Sequence, residues 1–117
     1  ALDIDKNVID ITIKNSKINY THPKILAAHG TLGSSWPDQF PQQSSLADII
    51  IANISTSTIL ELIALIKDAL KNEGLAILSG FINDHLPEIK SKLEQLNFET
   101  IDILSDSNWT CLVAVKV

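Results

Sequence analysis

The stretch that decides the fold is Ala47-Asp48-Ile49-Ile50-Ile51-Ala52-Asn53-Ile54, a short apolar run that ends in an asparagine. An apolar run of this length, bounded by turn signals, predicts a buried strand of a parallel sheet. A helix over about 58–71, capped by Ser55 or Ser57, is predicted to follow it. Because open α/β sheets bind ligands at the carboxyl ends of their strands, Asn53 is the first candidate site residue.

The composition is that of one globular domain. The chain has 117 residues, of which 45% are apolar, and a net charge of −5. Its nine basic residues, all lysines, are scattered, so direct nucleic-acid binding is not indicated. No apolar run approaches the ~18 residues that a membrane-spanning helix needs. The single cysteine fits a reducing compartment better than a disulfide framework, so we expect a cytoplasmic protein without a membrane partner.

Strand and helix signals alternate along the rest of the chain. In order, we expect strand 1–4, helix 6–18 capped by Asp5, strand 24–28, a polar loop 29–46, strand 48–52, the helix 58–71, strand 75–79, helix 84–97 with Pro87 in its first turn, and strands 98–104 and 109–117. This alternation predicts an α/β fold with a mainly parallel sheet. The closing hairpin adds one antiparallel strand.

Two connections carry more specific expectations. Asn72-Glu73-Gly74 is expected to end the helix before strand 75–79, with Gly74 supplying a positive φ. The loop 29–46 is long for a compact domain, and loops of that length are often functional or mobile. Trp36 is expected to pin this loop.

Three motifs resemble class I methyltransferases that use S-adenosylmethionine. Leu2-Asp3-Ile4-Asp5 resembles their second-strand motif, Asp48 to Ile54 their fourth-strand motif, and Leu78-Ser79-Gly80-Phe81-Ile82 the fifth strand and its exit. Together with Glu73-Gly74 and Trp109, the set is most similar to ribosomal protein L11 methyltransferases. The resemblance covers essentially the whole chain.

The resemblance implies a Rossmann-like class I methyltransferase sheet, mainly parallel with a C-terminal antiparallel strand and truncated at its N-terminus. Residues 1–117 then form the C-terminal part of a single catalytic domain. The family's first strand, its Gly-rich turn and its small substrate-recognition domain precede the matched motifs. The implied activity is methyl transfer from S-adenosylmethionine to amino groups of a large-subunit ribosomal protein.

The same resemblance assigns site residues. Asp3 is expected to hold the ribose hydroxyls of the cofactor, and Gly30-Thr31 to approach its adenine. Asn53 is expected to lie beside the reacting methyl group, as a catalytic and a cofactor-binding residue. The alternatives are a solvated Asp at a strand end, an ordinary loop glycine and a capping Asn.

Other residues are given structural roles. Core packing is favoured over a substrate contact for Trp109, and Cys111 is expected to be a small buried hydrophobe. His22, His29 and His85 have no ligand spacing, so no metal site is predicted.

Two other functions stay open: a non-catalytic binding or assembly module, and a methyltransferase of the same fold with another substrate. The isolated 117-residue chain is expected to self-associate and to bind the cofactor weakly or not at all.

Overall fold

Six strands and three α-helices alternate along the chain in the computed structural model, which describes all 117 residues. In chain order, the elements are β1 (Leu2–Asp3), α1 (Lys6–Ile18), a 3₁₀ turn (His22–Lys24), β2 (Ala28–His29), β3 (Ala47–Asn53), α2 (Thr56–Ala69), β4 (Leu70–Ile82), a second 3₁₀ turn (Asn83–His85), α3 (Leu86–Gln95), β5 (Phe98–Asp106) and β6 (Trp109–Lys116). They form two units, Ala1–Pro41 and Gln42–Val117. That both units belong to one catalytic domain stays a prediction.

In the first unit, β1 and β2 pair in parallel, with Asp3 opposite His29. The Asp5 carboxylate caps α1 by accepting the backbone N–H of Asn7 at 2.9 Å, which confirms the predicted helix start. The predicted strand 24–28 is wrong in most of its extent. Pro23 fixes a helical φ, so the chain makes a 3₁₀ turn there and pairs only at Ala28–His29.

The long loop of this unit closes on itself around Trp36. The indole Nε1–H of Trp36 donates to the carbonyl of Pro41 at 2.9 Å. Its ring meets Phe40 edge to face, with 5.4 Å between the ring centroids. These contacts confirm the pinning role expected for Trp36.

The second unit contains a four-stranded sheet of order β3-β4-β6-β5. β3 and β4 are parallel, and β6 runs antiparallel to both of its neighbours, as the closing hairpin predicts. α2 packs on β4, α3 packs on β5 and the two helices contact each other, so both cover the same face. No helix combines the length and the apolar content needed to cross a membrane.

The core of this unit lies between that face and the two helices. Buried residues alternate along the strands, and those of the helices recur every three or four positions. They include Ala76, Leu78, Leu112 and Ala114 of the sheet, and Ile59, Ile63, Ile66, Ile89 and Leu93 of the helices. The periodicity and the Pro87 position predicted for α3 are confirmed, although the helix is shorter than 84–97 at both ends.

β3 departs from the expected buried strand. It is an edge of the sheet, and Ile49 and Ile51 are 53% and 72% exposed. An apolar run without alternation is typical of a strand that is covered on both faces. Here the helices cover only one face, and β4 is the only strand paired with β3.

The residues expected to end the helix, Asn72-Glu73-Gly74, lie inside β4, which begins at Leu70 directly after α2. The positive φ of 61° belongs to Glu73, whereas Gly74 is needed for close approach: a Cβ there would lie 2.9 Å from the carbonyl oxygen of Lys71. The carboxylate of Asp48 on β3 pairs with Lys71 Nζ at 2.8 Å. Hydrogen bonding to Lys71 and its positive charge lower the pKa of Asp48.

Candidate functional site

Asn53 ends β3 at the carboxyl edge of the parallel pair. It lies opposite Ser79 of β4, and the Ser79 hydroxyl donates to Asn53 Oδ1 at 3.2 Å. The next backbone N–H, of Ile54, donates to the Ser79 carbonyl at 3.1 Å. The Asn53 side chain is therefore oriented by β4 while it stays exposed. A second lone pair of Oδ1 remains able to accept a hydrogen bond.

Gly80 lets the two strand ends approach each other. Its φ is +93°, a conformation that residues with a Cβ rarely adopt. A Cβ at this position would lie 2.5 Å from the carbonyl oxygen of Ile54 and 3.0 Å from Asn53 Oδ1. The Ser-Gly pair of the sequence thus has two separate tasks: Ser79 orients the amide of Asn53 and Gly80 leaves room for it.

A cleft of about 660 Å³ opens at these strand ends, and we call it the first cleft. Its volume lies within the usual range for small-molecule sites, roughly 300–1,000 Å³. Its walls come from the ends of β3 and β4 and from the β5–β6 hairpin. Its lining includes Asn53, Ser79, Asp106, Trp109, Thr110 and Cys111.

The hairpin carries Asp106 and Trp109 to the first cleft. Its two turn residues, Ser107 and Asn108, have φ values of 48° and 78°, as a type I′ turn requires. Asn83 fixes this turn: its N–H donates to the carbonyl of Asn108 at 3.0 Å, and its side-chain oxygen accepts the Thr110 hydroxyl. Sequence reasoning missed Asn83 and Asp106.

The predictions made for Trp109 and Cys111 need correction. Trp109 is 60% exposed, so the preference for core packing is wrong. Trp109 lies at the turn end of the β5–β6 hairpin, opposite Asp106, and this end of the hairpin forms one wall of the first cleft. Cys111 is half-buried and also lines the cleft, so it is not the fully buried hydrophobe that was expected.

A second cleft, of about 550 Å³, adjoins the first at the start of α2. The Ser55 hydroxyl caps this helix by accepting the backbone N–H of Thr58 at 3.4 Å. The Thr56 hydroxyl hydrogen-bonds to His85 Nδ1 at 2.7 Å, which joins α2 to the turn before α3. Glu88 lines the far side of this second cleft.

In the first unit, the structure brings the other predicted residues together. The backbone N–H of Gly30 donates to the carbonyl of Asp3 at 3.0 Å. Asp3 Oδ1 accepts the N–H of Asp5 at 2.8 Å, and a carboxylate keeps further acceptor sites beyond this bond. Asp3, Gly30 and Thr31 therefore lie at the same end of β1 and β2.

Gly30 also has a purely structural reason to be glycine. A Cβ there would clash with the carbonyl oxygen of Ser35, and that carbonyl accepts the N–H of Thr31 at 3.1 Å. The roles assigned to Asp3, Gly30, Thr31 and Asn53 stay predictions. No group of three or more His, Cys, Asp or Glu side chains is placed to hold a metal ion.

Comparison with known proteins decides the family. Residues 1–117 match the family model described as ribosomal protein L11 methyltransferase (PrmA). The chain belongs to this family. The ribosomal protein L11 methyltransferase of Staphylococcus epidermidis is 32% identical and that of Staphylococcus aureus strain JH1 33% identical, each over all 117 residues. The chain spans 35% of the length of these relatives.

Solved structures show the same fold. The ribosomal protein L11 methylase of Lactobacillus delbrueckii subsp. bulgaricus superposes with a TM-score of 0.85 at 24% identity, over 99% of this chain and 56% of that one. A SAM-dependent O-methyltransferase of Thermotoga maritima gives a TM-score of 0.76 at 12% identity, over 100% of this chain and 49% of that one. The predicted class I methyltransferase fold is confirmed.

Proposed function

We propose that this protein transfers methyl groups from S-adenosylmethionine to amino groups of a large-subunit ribosomal protein. The observation that carries the proposal is the oriented amide of Asn53 at the open end of a parallel strand pair. Membership of the L11 methyltransferase family supports both the reaction class and the substrate. The expected location is the cytoplasm, where ribosomal proteins are made and disulfides are rare.

The residues present fit the proposed cofactor. The half-buried Asp3 carboxylate keeps acceptor sites for two ribose hydroxyls, and Gly30-Thr31 follow the neighbouring strand. Asn53 lies at the end of β3 with an accessible side chain. We propose Asp3, Gly30, Thr31 and Asn53 as the cofactor-binding residues of this chain. The cofactor, when bound, supplies an electrophilic methyl group on a sulfonium.

The chain's own contribution to the chemistry is alignment. Asn53 Oδ1 accepts an N–H of a neutral amine. This hydrogen bond points the lone pair of the amine nitrogen toward the methyl group. The Ser79 hydroxyl holds Oδ1 in place, so little reorganisation accompanies the reaction. No acid or base side chain is required for attack by an amine that is already neutral. The Trp109 ring and the Asp106 carboxylate border the path of the incoming amine.

A methyl-transfer assay tests this proposal. The full-length protein is incubated with S-adenosylmethionine carrying a labelled methyl group and with ribosomal protein L11, and the product is mapped by mass spectrometry. We expect label on amino groups, and no label when those amines are acetylated beforehand. A folded protein that binds S-adenosylmethionine without transferring methyl groups is a binding module. Transfer to another substrate alone refutes the ribosomal substrate.

A further inference from the structure

The two clefts at the strand ends continue into the groove between α2 and α3. The first and second clefts share Ser55, Gly80 and Trp109 as wall residues. The second cleft shares Leu60 and Glu88 with a third cleft of about 370 Å³. The three clefts are therefore neighbours in a row, and we call this row the α2–α3 track.

A polar stripe of α3 forms one side of the track. Glu88, Ser91, Lys92 and Gln95 all line the third cleft. Their spacing of three, four and seven residues puts them on one face of the helix. The core residues of α3, such as Ile89, lie on another face and are buried. A groove with hydroxyl, amide and charged groups suits a peptide chain better than an apolar ligand.

Charge along the track favours a basic occupant near the candidate site. Asp106 lines the first cleft and Glu88 lines both the second and the third, whereas the only lysine in the three walls is Lys92, in the third cleft. From Glu88 to Gln95, the helical rise gives a length of about 10 Å. That length accommodates about three residues of extended peptide.

We propose that the α2–α3 track binds the stretch of substrate polypeptide next to the methylated amine, with Glu88 pairing with a basic side chain of that stretch. The proposal rests on the proposed methyltransferase function and adds a substrate-binding region outside the reacting centre. Glu88 is then a specificity residue that acts on substrate binding and leaves the chemical step unchanged. Ser91, one turn further along α3, borders the same bound segment.

Kinetics of the full-length protein with a long and a short substrate test this proposal. The long substrate is ribosomal protein L11, and the short one is a tripeptide that contains the same methylated amine. The variants are Glu88→Gln, which removes the charge, and Ser91→Trp, which fills the third cleft. Glu94→Gln and Glu94→Trp are matched controls, because Glu94 is an exposed residue of α3 that lines none of the three clefts.

We expect Glu88→Gln to raise KM for the long substrate by about threefold to fivefold, as loss of a partly exposed ion pair predicts. Ser91→Trp raises the same KM by blocking the track. For both variants, kcat and the tripeptide KM stay at wild-type values, and the Glu94 variants match the wild type. If Ser91→Trp fails to fold, the comparison of Glu88→Gln with Glu94→Gln is sufficient to test the proposal.

Two results overturn the track. One is an unchanged KM for the long substrate in Glu88→Gln, and the other is an equal change of KM for both substrates. Wild-type protein that methylates neither substrate refutes the proposed function itself. Active wild-type protein with unaffected track variants refutes only the α2–α3 track.

Discussion

At the scale of single residues, the proposed alignment of the reacting groups depends on how Asn53 is held. Its amide is exposed to the first cleft, yet its oxygen is fixed by the Ser79 hydroxyl. The position of Asn53 was predictable from the sequence, because a polar residue directly after an apolar strand lies at the carboxyl end of that strand. The exposure of Trp109 could not be predicted, because large aromatic rings are usually buried and a cleft depends on distant parts of the chain.

Replacement of Asn53 tests its catalytic role. In the full-length protein, we expect Asn53→Ala to lower kcat by up to about 100-fold, since misaligned reacting groups lose rate on this scale. The Kd of S-adenosylmethionine should change much less, because the alignment matters mainly in the transition state. Methyl-transfer kinetics and calorimetry measure the two quantities separately.

Ser79→Ala is the matched control for that prediction. It removes the hydroxyl that holds Asn53 Oδ1 and keeps the amide itself. We expect a fall in kcat smaller than that of Asn53→Ala. An unchanged kcat in Asn53→Ala together with a raised cofactor Kd contradicts the catalytic role.

At the scale of elements, local signals were predicted well and long-range ones poorly. The start of α1 was predicted from Asp5, because capping depends on neighbouring residues. For α2, the structure selects Ser55 of the two predicted caps, and the helix runs over Thr56–Ala69, two residues earlier than the predicted 58–71. β2 and the beginning of β4 were misplaced because strand bounds depend on a partner strand. A positive φ was expected at Gly74 and is found at Glu73. Gly74 is needed for another reason, because a Cβ there would lie too close to the carbonyl oxygen of Lys71.

The exit of β4 provides a test at this scale. We expect Gly80→Ala to cost about 1–3 kcal/mol of stability, because a Cβ is strained at a positive φ. The substitution should also lower activity beyond this loss of stability, because the new Cβ would lie 3.0 Å from Asn53 Oδ1. Urea unfolding and methyl-transfer rates give the two effects.

Gly33→Ala is the control for Gly80→Ala. Gly33 also has a positive φ, of 86°, but it does not line the first cleft. Its substitution should reduce stability while the rate per folded molecule stays unchanged. Equal rates per folded molecule in both variants would show that Gly80 has no effect on the site.

At the scale of the whole molecule, the main departure from ordinary packing is the apolar surface that β3 exposes. Ile49 and Ile51 are exposed on a strand whose second edge has no partner. The apolar run itself was easy to recognise in the sequence. Its exposure was not, because burial depends on which elements surround the strand.

Such an edge predicts self-association of the isolated 117-residue chain. Unpaired strand edges with apolar side chains pair with other copies or aggregate. We expect light scattering to show dimers or larger species, and calorimetry to show weak or absent binding of S-adenosylmethionine. Ile49→Lys and Ile51→Lys, which replace the exposed apolar side chains of β3 by charged ones, should reduce the association. A monomer with micromolar affinity for the cofactor would be the opposite result.

The proposed role of Asn53 rests on its position at the carboxyl end of β3, where the Ser79 hydroxyl holds its Oδ1. A crystal structure of the full-length protein with S-adenosylhomocysteine is the measurement that decides this role. We expect the sulfur of the bound molecule to lie beside Asn53. A ligand bound with its sulfur away from Asn53 would refute the role.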